Sequence, residues 1–447
     1  MTEPLTGIRV VEMTIAVQGP AAGLYLRDMG AEVIKVEPPI GDPNRYGRNI
    51  DNPTPAGTLG PQFVAVNRGK RSVCLDMSTE LGRRALHGLL ADADVFLSNY
   101  REDALVRMGL GWDALHTKYP RLIHATVSGF GPKGRDSGKA MLDGAAVARG
   151  GLAFMTGASN SPPNVPGAII GDTAGAMQLA LGTMTALFTR ERTGIAQRVQ
   201  TSALGTQLWL QQWELTHTAM TGAMLTRAGS HHPNIRGPYG VYQTSCGGAI
   251  LLAQTMTQDA WDAICVFADI AEYAVDARFN TPGKRLGEGM SHDVSEEVRE
   301  ALRRGFVLHS AAQWDEFLRT QPEAIWERVR SWHEVLEDQQ SLDNNYIINI
   351  DVPQFGPTRT VGNLVTLSAT PGSAKGGPPL LGEGNAELLG RIGMSASEIE
   401  SVTARATEVR DAAFAALAEA AVAALAEAAV AALAEAAVAA LVEAAND

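Results

Sequence analysis

Residues 8–37, "IRVVEMTIAVQGPAAGLYLRDMGAEVIKVE", decide the fold class. "IRVVEM" (8–13) is a short β-branched run and reads as a strand. "GPAAGLYLRDMG" (19–30) reads as a helix opened by Pro20 and closed by Gly30, the usual asymmetry of helix ends. "AEVIKVE" (31–37) returns to strand. A strand, a tight Gly-Pro turn, a helix and a second strand form one βαβ unit, which implies parallel pairing. "QGPAAG" is not GxGxxG, so the dinucleotide fingerprint is absent. A helix N-terminus at that turn can still face a phosphate.

The alternation continues. "RSVCLDM" (71–77), "DVFLSN" (94–99) and "LIHATVSGFG" (122–131) read as strands, with helical "ELGRRALHGLL" (80–90) and "WDALHTKY" (112–119) between them. The spacing predicts a helix over 173–193, a strand in "AQRVQTSA" and a helix over "ALGTQLWLQQWELTHTAM". Residues 226–246 are rich in Gly, Pro and His. "GVYQTSCGGAILLAQ" (240–254) has the pattern of a hairpin around Cys246-Gly247-Gly248, helices follow to about 335, and "DVPQFGPTRTVGNLVTLS" (351–368) suggests returning strands. The expected architecture is an α/β large domain with a parallel sheet, from residues 1–225 and 336–410. A smaller α+β domain from 226–335 is inserted in it. Ligands of such sheets bind at the carboxyl ends of the strands.

The 447 residues are 45% apolar and 19% charged, ordinary for a globular protein. The tail 411–447 contains six acids and no Lys or Arg. It accounts for half of the net charge of −12, leaving −6 on residues 1–410. A mildly acidic body argues against a nucleic-acid partner. Three scattered cysteines (Cys74, Cys246, Cys265) with no CxxC suggest free thiols in a reducing compartment. No signal-peptide core and no membrane-spanning apolar run stand out, so the expectation is a cytoplasmic protein with no membrane partner. From Ala415 the unit "AALAEAAV" repeats, with Leu417, Leu425, Leu433 and Leu441 in phase. Eight residues advance the apolar stripe by about 80° per unit beyond two full turns, so no fixed apolar face forms. Ala, Leu and Glu still favour a helix.

Among residues that could carry chemistry, Asp172 in "PGAIIGDTAGAM" (166–177) is the lone charge between Asn160 and Arg190. It reads first as a helix N-cap. A carboxylate nucleophile is the second reading, compatible with the first. Carboxylates form covalent intermediates with activated carbonyls, small neighbours leave room for an acyl group, and the helix dipole would keep the group ionised. Arg68, Lys70 and Arg71 form a basic turn before a strand. They are either solvated or a local phosphate site. Arg101 and Arg107 follow the strand that ends at Asn99. His231 and His232 are adjacent and point apart, with no partner at ligand spacing, so no metal site is expected.

Taken in order, "LTGIRVVEMT", "GPAAGLYLRDMGAEVIKVEPPIGDPNR", "NRGKRSVCLDM", "SNYREDALVRMGLGW", "VSGFGPKG", "IIGDTAGAM" and "HPNIRGPYGVY" resemble the class III coenzyme A-transferases. That superfamily includes formyl-CoA and carnitine CoA-transferases and 2-methylacyl-CoA racemases. The resemblance covers roughly residues 1–245 and leaves out the tail from about 411. It implies a Rossmann-like large domain, a homodimer of interlocked rings, and a CoA thioester as substrate with no permanently bound cofactor. It also implies that Asp172 attacks the thioester, giving a mixed anhydride and then an aspartyl-CoA thioester, before CoA passes to a free carboxylic acid. By motif it places Val17 and Gln18 in a CoA-contacting loop, and Leu75 and Asp76 on the adenosine side. Asn99, Tyr100 and Arg107 would lie along nucleotide or pantetheine, and Ala140 to Asp143 in another CoA-facing segment.

The departures are informative. Many relatives have Arg after the Glu of "VE"; here Pro38 stands there, so one phosphate contact is either missing or supplied by Arg45 or Lys139. The racemase branch carries His before the Asp of "LDG" and a Glu after the hairpin; here these are Leu142 and a residue near Thr257. Racemisation needs acid/base groups on both faces of the α-carbon. The missing His therefore favours transfer over the racemase alternative. A non-catalytic CoA-binding paralogue is the third possibility.

Overall fold

A computed structural model describes residues 2–47, 54–55 and 57–444, with backbone alone from 421 onward. Its central feature is a six-stranded sheet of β1 (Arg9–Met13), β2 (Glu32–Glu37), β3 (Arg71–Cys74), β4 (Val95–Ser98), β5 (Ile123–Ser128) and β6 (Arg198–Ser202). The order is β3-β2-β1-β4-β5-β6, and every pairing is parallel. Successive strands are added on one side of β1 up to β3 and on the other side from β4 onward, so the strand order switches between β1 and β4, and the loops after these two strands flank the crevice where ligands of such sheets bind.

The strands are short; β1 to β5 are buried on both faces, as is usual for strands covered by helices on either side, and the edge strand β6 is partly exposed. One face packs Val11, Ile34, Val73 and Phe96 against the helix Glu80–Ala91. The same face takes Leu388, Leu389 and Val402, so the chain beyond 384 returns to the sheet. The other face packs Val10, Val33, Leu97 and Ala125 against Ala22 and Leu26 of the helix Gln18–Asp28 and Ala176 and Leu179 of the helix Ile170–Thr193.

A second core surrounds Trp261, Phe306 and Trp314. Its antiparallel sheet joins β7 (Gly240–Gln243), β8 (Ala249–Thr255) and β9 (Ala324–Arg328). The β7–β8 hairpin turns at Cys246 and Gly247, both with positive φ (63° and 83°), as the Cys-Gly-Gly motif suggested. The later strands, β10 (Ile347–Val352) and β11 (Gly356–Val361), pair with each other in a separate hairpin and do not rejoin the large sheet. Their apolar face is used on Val64.

Two local expectations need correction. The helix expected over 173–193 starts at Ile170, so Asp172 is its third residue; Ile169 occupies the cap position with no side-chain cap. The helix expected over 203–220 is divided at Gln211 into Ala203–Leu210 and Gln212–Thr221. The tail continues the helix Ala396–Ala444; residues 445–447 of the tail lie outside the described residues.

Candidate active site

The loop after β1 is the best-anchored part of the cleft. Ala16 adopts φ 64°, a left-handed conformation that costs a non-glycine residue about 1–2 kcal/mol. Several groups hold it there. The Asn99 amide clasps Ile15, accepting from its N–H (2.9 Å) and donating to its carbonyl (2.7 Å). Lys35 Nζ donates to the Thr14 carbonyl at 2.9 Å. Asp42 accepts from the Ala16 N–H at 3.4 Å.

Behind the loop lies an ionic cluster with no solvent exposure. Lys35 sits 3.4 Å from Glu12 and 3.1 Å from Asp42, and Lys70 lies 2.7 Å from Glu12. Burial draws the Lys70 ammonium down to about 8, against the attraction of Glu12. Two cations and two anions neutralise one another, the condition under which buried charges are tolerated.

This loop delivers Gln18 into a cleft of about 760 Å³. Gln18 is 5% exposed, and its Nε2 has no hydrogen-bond partner. A Cβ on Gly175 would lie 2.3 Å from that nitrogen, so the glycine one turn beyond Asp172 makes room for the amide. Asp172 lines the same cleft, as do Tyr100, Lys139, Ala140, Met141 and Leu142.

Asp172 is held in the first helical turn by its own N–H, which donates to Asp143 Oδ1 at 3.0 Å. The cap thus comes from another helix, Asp143–Arg149. Burial, with the charge of Asp143 added, pushes the Asp172 carboxyl up to about 6. The expected effect of the helix dipole is outweighed, yet the group is still mostly ionised at neutral pH.

The remaining expected residues divide by location. Gln18, Asn99, Tyr100, Lys139 and Ala140 line the cleft with Asp172. Val17 is the residue before the helix Gln18–Asp28. Arg45 is buried and doubly bonded to Glu37 (2.7 and 2.6 Å), with a third bond to the Pro379 carbonyl. It is therefore engaged inside the protein, while Lys139, the other candidate for the missing Arg contact, lines the cleft. Arg71 forms a bidentate pair with Glu387, Arg107 pairs with Asp103 at 2.7 Å, and Leu75 is fully buried. Asp76 bonds Ser78 and Arg405.

Cleft cations that sequence reasoning did not assign are Lys133 and Arg198. Lys133 lies in the quoted "GPKG", but Arg198 comes from β6, 65 residues further on (198 − 133). Leu142 is 82% exposed, so an apolar side chain stands where the racemase branch has its His. Thr257 caps the helix Gln258–Phe267. His232 stacks on Trp213 and meets Glu214 at 3.0 Å. No group of three potential metal ligands occurs among the described residues, and none of the described helices is long and apolar enough to cross a membrane.

The parallel sheet, with its strand order switching between β1 and β4, agrees with what comparison finds. The model of CoA-transferase family III matches residues 5–385. The chain belongs to that family. It is 32% identical to a succinyl-CoA–D-citramalate CoA-transferase of Chloroflexus aurantiacus, over 86% of this chain and 93% of that one. It is 29% identical to a cinnamoyl-CoA:phenyllactate CoA-transferase of Clostridium sporogenes, over 90% and 96%. With a formyl-CoA:oxalate CoA-transferase of Streptomyces avermitilis it shares 30% identity, over 89% and 98%. Among solved structures it resembles a CAIB/BAIF family protein of Brucella suis, with TM-score 0.75 and 26% identity over 88% of this chain and 100% of that one.

Proposed function

We propose that this family member moves CoA from an acyl-CoA thioester to a free carboxylic acid, with Asp172 as the nucleophile. The observation that carries the reading is the pairing of a half-buried, ionisable Asp172 with the unpartnered amide of Gln18 in one cleft. Family membership supplies the reaction class, and the named relatives act on acyl-CoA and carboxylate pairs.

The chemistry runs without a net proton. An Asp172 oxygen attacks the thioester carbonyl, the C–S bond breaks, and CoA leaves as thiolate. The product on the protein is a mixed anhydride. The thiolate then attacks the Asp172 carbonyl carbon and expels the first acid as carboxylate, leaving an aspartyl-CoA thioester. The acceptor carboxylate repeats both steps in reverse, which regenerates Asp172 and releases the new acyl-CoA. One negative charge passes from step to step, so no general base is needed. Each attack places charge on a carbonyl oxygen, and a preformed N–H donor such as Gln18 Nε2 stabilises it. The cations Lys133, Lys139 and Arg198 suit the phosphates of CoA. Leu142 offers no second acid/base group, which counts against α-proton exchange.

The resemblance also implies a dimer of interlocked rings. An exposed stripe of Met177, Leu181, Met184 and Phe188 on the Asp172 helix, with Trp209 and Trp213 exposed nearby in sequence, is a surface that pairing would cover. Sedimentation at micromolar concentration tests this: a dimer is expected, and a monomer contradicts it.

The direct test of the reaction is turnover with an acyl-CoA donor and a free acid by wild type and Asp172→Asn. Loss of turnover in the variant supports the reading, and unaltered turnover overturns it.

A further inference from the structure

Asp143 was expected to face CoA, yet the cleft lining runs from Lys139 through Leu142 and stops there. The Asp143 carboxylate turns the other way, onto the helix of the nucleophile. Its Oδ1 takes the N–H of Asp172 at 3.0 Å. The approach depends on Gly171: a Cβ there would lie 2.9 Å from Asp143 Oδ1 and 3.1 Å from Gln207 Nε2. Two carboxylates are thus anchored side by side, one by its backbone and the other by its side chain.

We infer that Asp143 is a positioning residue for the transfer: it fixes the backbone of the nucleophile and sets a like charge against its carboxylate, which acylation of Asp172 relieves. The inference rests on the reading of Asp172 as nucleophile. In the free protein the two negative charges repel. In the anhydride and in the aspartyl-CoA thioester, Asp172 is neutral and the repulsion is gone. Energy that opposes the ionised ground state and vanishes in the acylated states accelerates the attack. Groups facing Asp172 from the other packed elements do not cancel it. Gln18 comes from the helix after β1 and Gln207 from the helix after β6, and both are neutral; Gln207 is fully buried with neither amide atom bonded. The cations Arg101, Lys133, Lys139 and Arg198 line the cleft, but the charge that acts on Asp172 is that of Asp143, added to the larger effect of burial.

Asp143→Asn separates the two parts of this role. It keeps an oxygen to accept the Asp172 N–H and removes the charge. Rates with an acyl-CoA and a carboxylate acceptor are measured across pH 4.5–9 for wild type, Asp143→Asn, Asp143→Ala and Asp172→Asn. The acid limb of kcat/KM is expected to move down by roughly half a unit to one unit in Asp143→Asn. Because one unit corresponds to a factor of ten, kcat above the limb falls about three- to tenfold, while the melting temperature at neutral pH is unchanged or higher because the repulsion is gone. Asp143→Ala loses the backbone anchor as well and falls further. If Asp143→Asn shows the wild-type limb and rate while Asp172→Asn is inactive, this inference is overturned and the nucleophile stands. If Asp172→Asn keeps its turnover, the reading beneath it is overturned.

Discussion

The backbone N–H of Asp172 donates to the Oδ1 of Asp143 at 3.0 Å, across 29 residues of sequence. This contact places the candidate nucleophile in the first turn of its helix and sets a second carboxylate beside it. Much of the behaviour expected of the protein follows from that arrangement.

Asp172→Asn is expected to trade activity for stability. Loss of the nucleophile removes more than about 10³-fold in rate, over about 4 kcal/mol of barrier. The same change stabilises the fold at neutral pH. A carboxyl raised from 3.8 to about 6 in the folded protein is harder to ionise there than in the unfolded chain. Its cost is absent below about pH 4, where both states are protonated. It grows as pH rises and is complete above about pH 6, reaching about 1–3 kcal/mol. Denaturant melts at pH 4 and pH 7.5 check this: the stability gain of Asp172→Asn should appear only at the higher pH.

The wild-type pH profile carries the same signature. The attacking group must be ionised, so kcat/KM should fall on the acid side with an apparent pKa near 6, well above an ordinary aspartate. A flat profile down to pH 4.5 would show that Asp172 does not titrate in the rate-determining attack.

Gln18→Ala tests the donor. Its Nε2 has no partner in the protein, so truncation should cost little stability. Removal of one preformed donor to a developing oxyanion costs on the order of 10²–10³ in kcat. Steady-state kinetics should show that loss mainly in kcat, whereas a purely CoA-binding role for Gln18 would raise KM instead.

Gly23→Ala tests the buried ionic cluster behind the loop. An added Cβ would lie 1.8 Å from Glu12 Oε2, inside the contact between Glu12 and Lys70. Overpacking at such a site costs about 1–3 kcal/mol. A lower denaturation midpoint is expected, with KM for acyl-CoA raised because Lys35 and Asp42 of the same cluster anchor residues 14–16. Wild-type stability would contradict this tight packing around Glu12.

The large sheet was legible in the sequence because most of its strands are short runs centred on β-branched residues, as in Val10-Val11 and Val33-Ile34, closed by turn residues, and such signals are local. The strand order was not, since it depends on registers such as Val10 beside Val95, made between distant segments. The same division runs through the site. Asp172 stood out as a lone acid among small residues, but its cap was misread because the partner, Asp143, is supplied by another helix. Arg45 could be found as a charge, while its engagement with Glu37 depends on how the turn between them folds. Asn99 was expected along the nucleotide or pantetheine; it lines the cleft, and its amide also holds the backbone of Ile15, a contact no local pattern signals. Gln207 gave no signal, because a glutamine in a helix is ordinary until its burial is known.

The most direct test of the central claim is intact-protein and peptide mass spectrometry after incubation with an acyl-CoA and no acceptor acid. A covalent adduct of one CoA less one water is expected on the peptide that carries Asp172, discharged when a carboxylic acid is added. Absence of any adduct while transfer proceeds, or an adduct on another residue, would contradict it.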